Sequence, residues 1–275
     1  MVAGYESGIV GIKAGSSIFH DESCFDSVAD LIVPLTQQAD QIFFVVSALK
    51  GETDRTIDDI AEANREVLNA ALQGNPSPAS TRYNRTDIAA QLVTPEGYSV
   101  RQLTTALQAR GIRAIGLQHG PTYPLIGIDN NNFLYATPDL DASQRHMPRY
   151  DAQVVVVPGF GVRNARGEVM CTGRGSSDLT LAQFGVIFDL NEIVYWKDSG
   201  GYLRDPNDRS KGVYKRISRE QVEVEGAKVL DRRVLKTYAP GIRITDAGKI
   251  SGGTIIAPYQ KATRAQHLYE AVAAK

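Results

Sequence analysis

The chain has 275 residues, 43% of them hydrophobic, and 30 basic side chains against 31 acidic ones leave a formal net charge of -1. That length supports one large α/β domain or two lobes sharing a sheet, with ample core and no need of crosslinks. Balanced charge offers no basic face to nucleic acid and no acidic tail to a basic partner, so a charged ligand has to be recognised locally.

The N-terminus, MVAGYESGIVGIK, lacks a basic region followed by an apolar one, and no apolar run approaches the roughly 20 residues a bilayer requires. The two cysteines, Cys24 and Cys171, are far apart and fit a reducing compartment better than a disulfide framework. A soluble cytoplasmic protein without membrane partners is expected.

In chain order, Gly8 to Lys13 reads as a first strand and Ala14-Gly15-Ser16-Ser17 as a tight turn of small residues. Glycine lets the backbone approach an anion, serine hydroxyls donate to it, and a lysine there supplies positive charge to a transferring phosphoryl group. The same residues also read as a plain strand, a turn and an exposed lysine. The Walker pattern is not matched, because its lysine follows the glycines.

Asp21 to Leu35 is expected to be a helix stopped near Pro34, and Gln41 to Ser47 a second buried strand. The exit of that strand, Ser47 to Asp54, carries hydroxyls and charges where open α/β sheets place ligands. Thr56 to Leu72 repeats apolar residues at helical spacing, and Gly74 to Ser80 reads as a loop.

Leu92 to Gly97 breaks the pattern, and Tyr98 to Arg110 resumes as a helix capped by Gly111. Glu96 reads as an acid favoured by the helix dipole. Ile112 to Leu117 is a further strand, and Tyr123 to Ala136 reads as a hairpin turned by three asparagines.

Gln153 to Val157 is short, β-branched and apolar, as a strand buried on both faces should be, and Pro158-Gly159 ends it. Gly173-Arg174-Gly175-Ser176-Ser177-Asp178 then leads into a helix from Leu179 to Gly185. Backbone N–H groups before a helix suit an anion, Arg174 offers a planar fork, and Asp178 adds an acceptor. Such a site suits a zwitterion as well as a phosphate, and an N-capped surface helix accounts for the residues too.

Glu192 to Trp196 is a strand followed by a glycine-containing loop from Lys197 to Asn207, a candidate nucleotide edge. Val224 to Tyr238 reads as one helix with Lys228 early in it, where an anionic partner would offset an unfavourable dipole. Gly241 to Thr245 and Thr254 to Ile256 read as closing strands, and Lys261 to Ala274 as a final amphipathic helix. The fold class is α/β, a three-layer α/β/α sandwich with a mainly parallel central sheet. His20, His119, His146 and His267 lack metal-ligand spacing and no nucleophile elbow is found, so no protein metal ligands are expected.

In this order GIKAGSS, VVSALKGETD, TPEGYS, VPGFGVRNARGEVMCTGRGSSD, VYWKDSGGYLRDP and GAKVL resemble the motifs of the aspartate kinases of the amino acid kinase family. The resemblance implies an ATP-dependent phosphorylation of the aspartate side-chain carboxylate, with Mg²⁺, an amino-acid acceptor and self-association as a homodimer. It implies catalytic roles for Lys13 and Asp178. Ser47, Thr53, Glu96, Arg174 and Ser177 would hold the amino acid, and Gly15, Ser16, Asp198, Tyr202 and Lys228 the nucleotide.

The division implied is a substrate lobe over residues 1–180 and an ATP lobe over 181–275, without an ACT regulatory domain. Departures stand at Ala14-Gly15-Ser16 in place of Phe-Gly-Gly, at Pro95 and Gly97 around Glu96, at Ser176 in place of glycine, and at Asp231-Arg232 in place of His-Pro. They leave open a modified acceptor or a non-catalytic ligand-binding subunit of the same fold.

Overall fold

The computed structural model describes residues 8–73, 85–130, 132–190, 192–226 and 229–258. In chain order the strands are β1 (Ile9–Ala14), β2 (Gln41–Val46), β3 (Ala114–Gly116), β4 (Ile126–Ile128), β5 (Thr137–Asp139), β6 (Val154–Pro158), β7 (Gly161–Arg163), β8 (Val169–Cys171), β9 (Glu192–Trp196), β10 (Arg216–Ile217), β11 (Gly241–Thr245) and β12 (Thr254–Ile256). The helices are α1 (Cys24–Ile32), α2 (Glu52–Leu72), α3 (Arg85–Leu92), α4 (Thr94–Ala109), α5 (Leu140–Arg145), α6 (Ser177–Ile187), α7 (Arg219–Glu225) and α8 (Arg232–Thr237).

Eight strands form the central sheet in the order β10-β12-β11-β9-β1-β2-β6-β3. Pairing is parallel except between β11 and β12. The inner strands are buried on both faces, which is why Val154 to Val157 can be an unbroken β-branched run with no exposed surface.

Alternation along each strand divides the core. Phe43, Val45, Val155, Val157, Ile193 and Tyr195 share one cluster with Leu181 and Phe184 of α6, while Ile12, Phe44, Val156 and Trp196 share another with residues of α1 and α4. Helices thus cover both faces in an α/β/α sandwich.

Helix α6 is the element that positions the site. Ten of its residues, Ser177 to Gly185 and Ile187, are buried, as expected of a helix enclosed by protein rather than lying on a surface. A Cβ on Gly11 of β1 would lie 2.8 Å from side-chain carbons of Leu181 and Leu190, so glycine admits the α6 side at that point. Two residues on, Lys13 leaves the same face of β1 and meets Asp178, one turn before Leu181. Register completes the arrangement: Lys13 is level with Val45 and Tyr195, and Val46 with Pro158, so the carboxyl ends of β1, β2, β6 and β9 lie together.

Several expected elements differ. The first helix is shorter than Asp21 to Leu35, because Pro34 turns Val33–Gln37 into a 3-10 segment. The Leu92 to Gly97 break is a junction between two helices: α3 ends at Leu92 and α4 already begins at Thr94, with Pro95 in its first turn, where its missing N–H costs nothing. The expected 123–136 hairpin belongs to a second sheet, β5-β4-β7-β8, in which β4 and β5 are antiparallel.

The single helix expected over Val224 to Tyr238 is two. Gly226, at φ 89°, ends α7, and the Asp231 carboxylate accepts the Arg233 N–H at the start of α8. Lys228, expected early in that helix, lies outside the described residues. The expected 74–80 loop and 261–274 helix also lie outside them.

Candidate active site

Lys13 is 5% exposed, and its Nζ lies 2.7 Å from Oδ1 of Asp178, which is 6% exposed. Asp178 stands in the first turn of α6, and its main-chain carbonyl accepts the Tyr195 hydroxyl at 2.8 Å. Lys197, the first residue after β9, brings a second ammonium 3.2 Å from Asp178 Oδ2. Burial pushes the Asp178 carboxyl up, but Lys13 and Lys197 outweigh it and hold the group below its ordinary value, so it is ionised. Burial pulls Lys197 down, against the raising effect of Asp178.

The cluster opens into a cavity of about 340 Å³. Gly15 and Ser16 form one wall, and Gly15 is close enough to Lys13 that an added Cβ would lie 3.4 Å from its Nζ. Ser47 and Thr53 come from the exit of β2, and the Ser47 hydroxyl lies 3.3 Å from that of Ser177. Arg174 enters from the loop before α6 and pairs with Asp54 across the mouth. A larger cavity of about 610 Å³ lies alongside; on its wall Arg55 pairs with Glu52, and the Tyr98 hydroxyl donates to Glu22.

Glu96 reaches the same cavity from the first turn of α4. It is 3% exposed, and its Oε2 has no hydrogen-bond partner among the described residues. Burial raises its carboxyl to about 8, against the lowering effects of the Glu96 and Ala48 backbone N–H groups and of Lys13. A buried acceptor without a donor costs about 1–3 kcal/mol and marks a place for a ligand's donor.

The cavity therefore joins Lys13, Gly15, Ser16, Ser47, Thr53, Glu96, Arg174 and Ser177, with Asp178 behind Lys13. Two expected residues are elsewhere. Asp198 is paired with Arg209 at 3.1 Å in an exposed position. Tyr202 is a core residue, in one buried cluster with Ile217 and Val222 and with its N–H on Thr254 Oγ1 at 2.8 Å.

Lys197 and Phe160 are among the lining residues that had no expected role. Lys197 stands at a strand end as Lys13 does, and that position was its sequence signal. Phe160, between two glycines, is held at φ 75°. Its N–H donates to Thr180 Oγ1 at 3.2 Å and its carbonyl accepts from the Thr172 N–H at 3.0 Å, which holds a left-handed conformation costing about 1–3 kcal/mol.

Both cysteines are buried and unpaired. Among the described residues no helix is long and apolar enough to cross a membrane.

Residues 9–245 match the amino acid kinase family. The aspartate kinase of Pseudomonas fluorescens SBW25 is 25% identical over 271 residues, which cover 95% of this chain and 61% of that protein. An aspartokinase of Thermus thermophilus is 26% identical over 255 residues, 89% of this chain and 58% of that protein. The chain thus spans about three fifths of the length of these curated relatives.

Among solved structures, E. coli aspartokinase III in complex with lysine and aspartate superposes with a TM-score of 0.71 at 18% identity, covering 92% of this chain and 65% of that one. An isopentenyl phosphate kinase superposes at 0.61 and 15% identity, covering 90% of this chain and 100% of that one. At these identities the structural likeness speaks for the fold.

Proposed function

The chain belongs to the amino acid kinase family, and we propose that it transfers the γ-phosphoryl group of ATP to the side-chain carboxylate of L-aspartate. The products are 4-phospho-L-aspartate and ADP. The observation that carries the reading is one cavity holding a buried lysine–aspartate pair at one end and complementary groups for a zwitterion, Glu96 and Arg174, on its walls.

In this reading Glu96 takes the ammonium of the acceptor, Arg174 its α-carboxylate, and Ser47, Thr53 and Ser177 hold the remainder. Binding an ammonium ionises Glu96, so the energy of that contact is offset in part by loss of its proton. The side-chain carboxylate is already ionised at neutral pH and needs no general base. One of its oxygens forms a bond to the γ-phosphorus as the bond to the β–γ bridging oxygen breaks, its electron pair leaving on ADP.

Lys13, kept rigid by Asp178, neutralises charge on the phosphoryl oxygens, and Gly15 and Ser16 let the backbone approach them. Catalysis is then mainly alignment and electrostatic preorganisation; removal of one such fixed charge-stabilising donor costs about 3–4 kcal/mol. Residues 1–180 supply the acceptor side, and residues 181–275, including Asp198, Tyr202 and Lys228, the nucleotide side. Mg²⁺ would enter on the triphosphate, held largely by phosphate oxygens and water. That fits a site whose described residues offer no group of three or more metal-binding side chains.

An acceptor such as isopentenyl phosphate carries no ammonium and would leave Glu96 unused. ADP release from Mg-ATP, measured across aspartate, glutamate, N-acetylated acids and isopentenyl phosphate, tests the reading. Aspartate-dependent release is expected, and release driven only by an acceptor without a free amine would contradict it.

A further inference from the structure

Arg174, the cation assigned to the acceptor's α-carboxylate, stands between Gly173 at φ 96° and Gly175 at φ 73°, and its exposed side chain pairs with Asp54 at the mouth. Glycine on either side leaves that stretch of backbone with little stiffness of its own. A guanidinium that grips a carboxylate through parallel N–H···O bonds is selective only where its main chain is held in place.

The loop is rooted at Thr172, the residue after β8. The Thr172 N–H donates to the Phe160 carbonyl at 3.0 Å, and its hydroxyl lies 3.1 Å from that carbonyl and 2.8 Å from the hydroxyl of Ser176, which begins α6. The Thr172 carbonyl accepts from Nη1 of Arg233, a residue of α8 that is 61 positions further along the chain. The opposite edge of the same guanidinium is taken by Asp231, with Nη2 2.5 Å from Oδ2 and Nε 3.1 Å from each oxygen. Asp231 is itself fixed: its side chain is 14% exposed and its Oδ1 accepts the Arg233 N–H at 2.9 Å.

An exposed ion pair alone contributes little. Here the planar fork places two nitrogens on Asp231 and aims the third at the main chain beside Arg174, a division that the single nitrogen of a lysine cannot reproduce. Gly173 fits the same arrangement, since an added Cβ would lie 2.7 Å from Cε1 of Tyr135 and 3.5 Å from Nη1 of Arg233. Asp231 stands where the resembling motif carries histidine, so the partner that orients Arg233 is a feature of this chain.

We propose that Arg233 is a positioning residue: oriented by Asp231, it anchors the loop from Gly173 to Ser176 through the Thr172 carbonyl and so presents Arg174 to the acceptor's α-carboxylate. This rests on the aspartate reading of the cavity. An element of residues 181–275 thereby holds the acceptor loop of residues 1–180.

The test compares Arg233→Met, Arg233→Lys, Arg174→Met and the double variant Arg233→Met with Arg174→Met against the wild type. Thermal melting checks that each is folded, and the Lys variant, which keeps a charge for Asp231, serves if Met does not fold. In either Arg233 variant the KM for aspartate should rise about tenfold, the scale for losing a hydrogen bond from a charged group. The kcat and the KM for ATP should stay within threefold of wild type, because Arg174 grips the acceptor equally before and during transfer. In the Arg174→Met background, Arg233→Met should add less than twofold, since both act through one guanidinium. A general structural effect would carry over in full.

Hydrogen exchange of the ligand-free protein gives a readout that needs no acceptor. Peptides covering residues 172–177 should exchange about tenfold faster in the Arg233 variants, while those from β1, β2 and β9 keep the wild-type rate. A wild type that neither binds nor phosphorylates aspartate would overturn the aspartate reading, yet the exchange comparison would still decide whether Arg233 anchors the loop. A folded Arg233 variant with an unchanged KM for aspartate, a KM effect that persists in full without Arg174, or unchanged exchange of the loop would overturn the proposal.

Discussion

Replacing Glu96 with Gln isolates the energetic consequence of a carboxyl buried with an open acceptor. Its pKa is raised from an ordinary 4.5 to about 8, with burial as the main cause. Between these values the folded chain binds a proton that the unfolded chain has released, so stability falls as pH rises. The contribution is fully present below about 4.5 and lost by the time pH passes 8. At about 1.4 kcal/mol per pH unit the interval amounts to roughly 5 kcal/mol.

Gln cannot ionise and escapes that loss. Urea unfolding of wild type and Glu96→Gln, without ligand, at intervals from pH 5 to pH 9, reads the effect directly. The variant should gain on the wild type as pH rises and level off above about pH 8, a relative gain of about 4 kcal/mol between pH 5 and pH 9. A stability difference that stays constant across the range would refute the buried, proton-holding Glu96. The same variant should bind aspartate far more weakly than the wild type, because the counter-charge for its ammonium is gone.

Asp54→Asn should release Arg174 from its exposed pairing at the cavity mouth. Such pairs contribute about 0.2–1 kcal/mol, so the KM for aspartate should fall by up to about fivefold with kcat unchanged, and a raised KM would contradict the competition. Gly11→Ala should destabilise the chain by about 1–3 kcal/mol in chemical denaturation, because the new methyl meets Leu181 and Leu190 at 2.8 Å. An unchanged midpoint would mean that α6 can move away from β1 at little cost.

How far the sequence discloses this arrangement depends on whether a feature is local. The strands of the central sheet are legible because burial on both faces imposes continuous apolar runs such as Ile42 to Val46 and Val154 to Val157. Lys13 is legible as a strand-end lysine beside a small-residue turn. Lys197 holds a similar position, but its pairing with Asp178 follows from the register of β1 with β9 and the placement of α6 over both.

Glu96 reads in sequence as an ordinary first-turn acid, since nothing local reveals whether that turn faces water or a cavity. The second sheet is obscure because strands of three residues, such as Gly161–Arg163 and Val169–Cys171, are too short to show alternation. The boundary after α7 was written in Gly226, yet the apolar spacing on either side of it reads as one continuous helix.

The most direct test of the central claim is to trap an acyl phosphate with hydroxylamine, using Mg-ATP and aspartate with wild type and Lys13→Ala. Aspartate-dependent hydroxamate from the wild type, lowered at least 100-fold in a variant that melts cooperatively, is the predicted result. Hydroxamate formed equally by both proteins would remove Lys13 from the reaction. ADP release with an amino acid but no hydroxamate would contradict transfer to a carboxylate.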